Sequence, residues 1–439
     1  MCTPKVLSIF LAYAGYNVWF HPLRAIPGPP LRAITHLPHT LRILRGDWTQ
    51  YMLVIHQRYG PVVRIAPNTV SFVSAAAFHD IYERGPKGSV IRRDMSLLPP
   101  MEAGPGSEKT LLFAASSAEH QRLRRLFGPA FSPSATREQE GEMQAHADLL
   151  LECLETNAGK SAASTQDLDE MISLYAFDFG CRQMFGKSFE CLQSRQRHPI
   201  LQTTKTTGWY ATVVSELYRY GIWQCILPFI PKSVLAQREA LYRHGYEATD
   251  ERVKQGYIPG KTDIINKLIQ DEKGFGWSPD EVRANGFSMA VAASDSMPTV
   301  LCTALQLLFV NPDKMATLQH ELDRACSALE DFAFGMLAQL PYLNAVIAET
   351  FRMFPPDAVI TGRVVETPGG QMIAGYHIPR GTTVHVSPYA AAHYAGNFAR
   401  PEDFLPERWI EGTDEYQMLN IRQAVQPYSI GPRNCIAAE

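Results

Sequence analysis

The chain is poor in the features that mark secreted, zinc-bound or nucleic-acid-binding proteins. Its eight cysteines (Cys2, Cys153, Cys181, Cys191, Cys225, Cys302, Cys326 and Cys435) are scattered over 439 residues, with no Cys-x-x-Cys pair and no metal-site spacing. In a chain this long, that scatter reads as reduced thiols in a protein facing the cytosol. There is no basic excess: 41 Lys and Arg against 44 Asp and Glu leave a net charge of −3. Nucleic acid is therefore not an expected partner. Repeats and low-complexity segments are lacking too. The N-terminal apolar run, VLSIFLAYAGYNVWF over 6–20, is shorter than the roughly 20 residues a spanning helix needs. No small-residue cleavage site follows it, which argues against a removable signal peptide.

What is present divides the chain into an N-terminal anchor and linker (1–26) and a body (27–439). Tyr13, Tyr16, Trp19 and Phe20, followed by His21 and Arg24, suit a membrane–water interface. Pro27-Gly28-Pro29-Pro30 reads as a stiff hinge between anchor and body. Residues 60–73 alternate, are rich in β-branched residues and break at Pro67-Asn68, as a hairpin does. From Glu119 to about Gln270 the pattern is mostly helical, and aromatics crowd 209–229, as a substrate pocket or as ordinary core. Val282–Val310 is a long apolar helix, and Asn311-Pro312 starts another, reaching about Leu329. A helix over Tyr342–Phe354 stops at Pro355-Pro356, and short strands follow near 363–365, 371–373 and 383–386. The expected fold is mostly α with a small β region.

Three constellations carry chemistry. The C-terminal stretch Tyr428-Ser429-Ile430-Gly431-Pro432-Arg433-Asn434-Cys435 has Gly-x-Arg-x-Cys spacing after an aromatic. A glycine gives the tight turn, an arginine can face a propionate, and a cysteine can offer a thiolate to a haem iron. Glu349 and Arg352 stand at i and i+3 on an apolar helix, so the pair points inward. Arg408 in Pro406-Glu407-Arg408-Trp409 can join them in a network that locks a meander.

These motifs, in this order and at these separations, resemble the cytochrome P450 family, the haem-thiolate monooxygenases. The likeness runs from the proline segment to Cys435. Residues 16–29 (YNVWFHPLRAIPGP) and 120–132 (HQRLRRLFGPAFS) are similar to the membrane-bound enzymes of filamentous fungi. The resemblance implies haem (heme b, iron protoporphyrin IX) as cofactor, with Cys435 as iron ligand. It implies propionate contacts from Arg363, Arg433 and the helical pair His120 and Arg124. It also implies that Ala292-Ala293-Ser294-Asp295-Ser296-Met297 is the oxygen-activation stretch, with Asp295 and Ser296 as proton relay. Pro298 would free the Ser294 carbonyl and let the helix kink. The implied partners are an NADPH-cytochrome P450 reductase, an apolar small-molecule substrate and membrane lipid, at the endoplasmic reticulum with the body facing the cytosol. The implied setting is fungal secondary metabolism, mycotoxin-like.

The sequence departs from the family pattern in places. Ala293 stands for a usual Gly, Ser296 for Thr, Ala437 for Gly, Tyr428 for Phe and His120 for Trp. Four residues follow Cys435, where relatives continue with a helix and a hairpin, so the chain reads as truncated and apolar surface is expected to be uncovered. The competing expectation is a catalytically inactive remnant, haem-free or a non-catalytic binding protein.

Overall fold

The structure is a computed structural model that describes residues 3–83, 91–95, 110–114, 116–158, 167–270, 276–325, 333–357 and 362–438. Cys2, Cys326, Glu439 and the expected end of the helix after Pro312 lie outside the described residues. Along the chain come helices α1 (Thr3–Gly15), α2 (Pro30–Ile34), α3 (Leu37–Arg45) and α4 (Trp48–Tyr59), then strands β1 (Val62–Ala66) and β2 (Thr69–Phe72). Helix α5 (Ala75–Tyr82) and strand β3 (Arg92–Arg93) precede α6 (Ser117–Phe127), α7 (Leu168–Phe185), α8 (Pro199–Tyr218), α9 (Lys232–Lys254) and α10 (Pro279–Val310). Helix α11 (Pro341–Met353) leads into β4 (Arg363–Val364), β5 (Gln371–Ile373), β6 (Tyr376–Ile378) and β7 (Thr383–Val386). The mostly α reading with a small β region holds; β3 and β6 are the strands the pattern did not reveal.

Two compact units share the chain: Met1–Met95 with Pro341–Cys435, and Ser96–Leu340 with Ile436–Glu439. The first holds the sheet, in the order β1-β2-β7-β4-β3. The Pro67-Asn68 break makes the expected antiparallel hairpin, with Val62 opposite Phe72 and Val63 opposite Ser71. β2 pairs parallel with β7, β7 antiparallel with β4, and β4 antiparallel with β3. Val63, Phe72, Phe78, Val384 and Val386 are fully buried and form the centre of this core.

Within the first unit, the Pro27–Pro30 segment departs from the hinge reading. The Arg64 amide donates to the Pro27 carbonyl over 2.8 Å. A Cβ on Gly28 would lie 2.4 Å from the Arg64 carbonyl oxygen, so glycine is there to let two backbones touch. Asn17, in the π-helical turn Tyr16–Phe20 after α1, is buried: its carbonyl accepts from Arg64 Nη1 at 2.8 Å and its side-chain oxygen from Nη2 at 3.3 Å. The polar residue inside the apolar run thus docks the run onto β1. Proline and arginine together make a clamp where the composition alone indicated a hinge.

The second unit is built around α10, which begins in a capping box: Ser278 accepts from the Glu281 amide, and the Glu281 carboxylate accepts from the Ser278 amide. α10 packs on α7 and α9. Glycines allow both close crossings: a Cβ on Gly180 of α7 would sit 3.0 Å from the Ala293 methyl, and one on Gly245 of α9 would sit 2.4 Å from the Phe287 ring. The C-terminal end of α10 leaves Leu301, Phe309 and Val310 exposed. The 209–229 aromatics are divided. Tyr210 and Trp223 join a small cluster around Val214, Ile230 and Val234, while Trp209 and Phe229 are exposed. Among the described residues no cysteine is in a disulfide.

Gly28→Ala is expected to destabilise the protein by about 1–3 kcal/mol, because backbone cannot give way as a flexible side chain does. Denaturant titration of the two proteins checks it.

Candidate functional site

The best-defined polar cluster centres on one carboxylate. Glu349 is completely buried and receives five hydrogen bonds. Arg352 donates twice, from Nε and Nη2, each over 2.9 Å. Arg408 Nε donates at 3.1 Å, Trp409 Nε1 at 2.8 Å and the Leu405 amide at 3.0 Å. Two guanidiniums against one carboxylate leave a surplus positive charge, and backbone carbonyls absorb it. Arg352 donates to the carbonyls of Ala392 (2.9 Å), Pro401 (2.7 Å) and Asp403 (3.0 Å). Arg408 donates to those of Ala399 and Arg400, both at 3.1 Å, and to Asn420 Oδ1 at 2.6 Å. Residues 392–420 contain little regular structure, so their carbonyls need partners, and these two side chains supply them. Burial lowers the Arg408 pKa, and Glu349 opposes that shift.

The cysteine loop leaves this meander and returns on itself. Ser429 and Gly431 have positive φ (57° and 77°), Pro432 opens a 3-10 turn over Gly431–Arg433, and the Cys435 amide donates to the Tyr428 carbonyl at 2.8 Å. The Tyr428 ring meets Phe351 of α11 edge-on at 5.4 Å, next to Arg352 in sequence. A Cβ at residue 431 would lie 2.1 Å from the Tyr82 carbonyl oxygen, so only glycine lets the loop lie against the end of α5. The Cys435 thiol is exposed.

Around it the sheet edge gathers positive charge. The β3–β4 register sets Arg93 directly opposite Arg363. Arg363 is buried and lies over the Tyr82 ring at 5.1 Å. Burial first, then the charges of Arg363 and Arg433, push Arg93 down to about 10. Burial and then Arg363 push Arg433 down to about 10 as well. Like charges opposed across strands are unfavourable, and an anion among them removes the cost. Arg93 escaped the sequence reading. The available signal was parity: in Ile91-Arg92-Arg93-Asp94, exposed Arg92 pairs with Glu366, which turns its neighbour to the other face. Tyr82 was missed too, because only the fold brings it against both Arg363 and Gly431.

The first unit therefore holds Glu349, Arg352 and Arg408 in one network and Arg363, Arg433 and Arg93 in a second cluster, with Cys435 two residues after Arg433. His120 and Arg124 lie in the second unit on one face of α6, with His120 buried. Asp295 and Ser296 also belong to that unit, exposed on α10. Ser296 Oγ donates to the Ala292 carbonyl at 2.8 Å, and Thr299 donates to that of Asp295 at 2.9 Å. α10 remains helical through Pro298. Ala293 in place of glycine has a counterpart, since its methyl meets Gly180 of the facing helix. Ala437 is exposed. No group of acidic, histidine or cysteine side chains suited to a bare metal ion occurs among the described residues.

Comparison with known proteins follows the same lines. The family model for cytochrome P450 matches residues 26–437. Averantin hydroxylase of Dothistroma septosporum is 34% identical over 99% of this chain and 82% of its own length. Cytochrome P450 monooxygenase lcsI of Purpureocillium lilacinum is 32% identical over 98% and 83%. Averantin hydroxylase of Aspergillus parasiticus is 32% identical over 100% and 85%. The chain belongs to the cytochrome P450 family; it is a monooxygenase of the kind found in fungal secondary metabolism, and the family implies haem.

Two predictions test the site. Glu349→Gln leaves two buried guanidiniums short of charge and is expected to cost about 3–5 kcal/mol of folding stability, read by urea unfolding. Arg93→Gln is expected to weaken haem retention several-fold, read as transfer of haem to apomyoglobin, with the circular dichroism spectrum of the protein unchanged.

Proposed function

We propose that this cytochrome P450 is a membrane-associated enzyme that inserts one atom of dioxygen into an apolar small molecule of a fungal, mycotoxin-like secondary-metabolite pathway. Electrons come from NADPH through a flavoprotein reductase. The site is at the endoplasmic reticulum membrane, with the body facing the cytosol and residues 1–26 serving as anchor and linker. The observation that carries the reading is an exposed cysteine thiol on a glycine-closed loop beside three clustered arginines. That donor set fits a group with one soft-ligand metal and two carboxylates.

In this reading Cys435 would supply the sulfur ligand to the iron, Arg363, Arg433 and Arg93 would hold the propionates, and His120 and Arg124 are proposed as further propionate contacts. Haem with a thiolate ligand supplies the activation of dioxygen when bound. The Glu349–Arg352–Arg408 network does no chemistry; it fixes the meander from which the cysteine loop departs. Asp295 is exposed and can take a proton from solvent. Ser296 passes a proton inward only after its hydroxyl turns away from the Ala292 carbonyl. Serine lacks the methyl that fixes threonine's rotamer, so this turn is easier and less precise. The averantin hydroxylases among the relatives make averantin a reasonable first substrate to test.

Reconstituted in membranes with a reductase and NADPH under ¹⁸O₂, the protein is expected to place one labelled oxygen in the product. A haem-loaded protein that consumes NADPH but labels no compound contradicts the proposal. A protein that takes up no haem favours a non-catalytic binding role. Ser296→Ala is expected to reduce product per NADPH by on the order of 10²-fold, with Ser296→Thr at or above the parent, measured as product against peroxide formed.

A further inference from the structure

Helix α6 carries a third charged residue besides the proposed propionate contacts. His120 and Arg124 are four residues apart and share one face of the helix, while Arg122 lies about half a turn from both, on the opposite side. Its guanidinium is engaged in two directions. Within α6, Nε donates to Glu119 Oε2 at 3.2 Å and Nη2 to Glu119 Oε1 at 2.8 Å. The same guanidinium holds the Glu119 carboxyl below its ordinary range. Away from α6, Nη1 donates to the Gly276 carbonyl at 3.1 Å, and Nη2 pairs with Glu281 in the first turn of α10. Glu281 stands 159 residues further along the chain, so this pair joins two helices that the sequence keeps far apart.

Glu281 serves two purposes. One oxygen accepts from the Ser278 amide at 2.8 Å, closing the capping box of α10, and the other faces Arg122. One turn further along the same face, buried Asn285 accepts from the Leu111 amide at 2.7 Å through Oδ1, while its Nδ2 donates to the Glu281 carbonyl at 2.8 Å. Leu111 belongs to the turn that shortly precedes α6. Two successive turns of α10 therefore hold both the approach to α6 and α6 itself. Exposed ion pairs are worth little. Glu281, however, is only 9% exposed, and removing Arg122 strips a nearly buried carboxylate of this cation.

We propose that Arg122 and Glu281 are a positioning pair that seats α6 on α10 and so fixes His120 and Arg124 for a haem propionate. It rests on the reading of His120 and Arg124 as propionate contacts. Glu281→Gln is the first variant, because glutamine closes a capping box as glutamate does and only the charge is lost. In the full chain, the α6 amides of this variant are expected to exchange with deuterium about fivefold faster, while those of α10 keep their protection. Unchanged exchange in α6, or equal loosening of both helices, overturns the proposal. In the haem-loaded protein, Arg122→Gln is expected to speed haem transfer to apomyoglobin several-fold, with Arg122→Lys, which keeps the charge, close to the parent. Arg122→Gln combined with Glu281→Gln is expected to match the single variants, since one bond is removed only once. Arg122→Gln added to the double variant His120→Gln, Arg124→Gln is expected to speed transfer no further, and an undiminished effect in that background contradicts the proposal. If the His120→Gln, Arg124→Gln variant alone leaves haem transfer unaltered, the propionate reading falls and the proposal with it. If that variant speeds transfer and Arg122→Gln does not, the positioning pair falls and the propionate reading stands.

Discussion

One buried carboxylate organises the meander from which the cysteine loop departs. Glu349 has no exposed surface, and five hydrogen-bond donors converge on it. Its two arginine partners then spend their remaining hydrogens on carbonyls between Ala392 and Arg400 and on those of Pro401 and Asp403. A segment with little helix or strand is thereby held as firmly as regular structure would hold it. Such a network is weak evidence for net stability and better evidence for a specified geometry. Here the specified geometry is the departure point of the cysteine loop.

The loop's own constraints are steric. Gly431 needs both a left-handed backbone and the absence of a side chain, since the Tyr82 carbonyl occupies the place of a Cβ. Tyr82 in turn lies beneath Arg363 and donates no spare freedom: its hydroxyl accepts from the Val386 amide at 3.2 Å, and burial raises its pKa to about 12. The cation cluster, the loop and the sheet therefore share one residue. At the other end of the same unit, Arg64 plays a comparable part, tying the N-terminal turn and the proline segment to β1.

Much of this was legible in the sequence where one local pattern sufficed. The Pro67-Asn68 hairpin, the long helix and the inward Glu349–Arg352 pair all follow from short-range periodicity. The loop around Cys435 followed from spacing. What escaped needed partners far apart in the chain. Arg93 comes to face Arg363 only because β3 pairs with β4, 270 residues away in the register Arg93 to Arg363. The proline segment looked like a hinge because nothing in it announces the Arg64 backbone. Ala293 looked like a defect because its counterpart, Gly180, sits on another helix.

The most direct test is the carbon-monoxide-bound spectrum of the reduced, haem-reconstituted chain. The account predicts the strongly red-shifted Soret band of thiolate ligation, abolished in Cys435→Ser. A Soret band at the position typical of a neutral ligand, or the same spectrum in both proteins, would contradict the claim that this loop presents Cys435 to the iron.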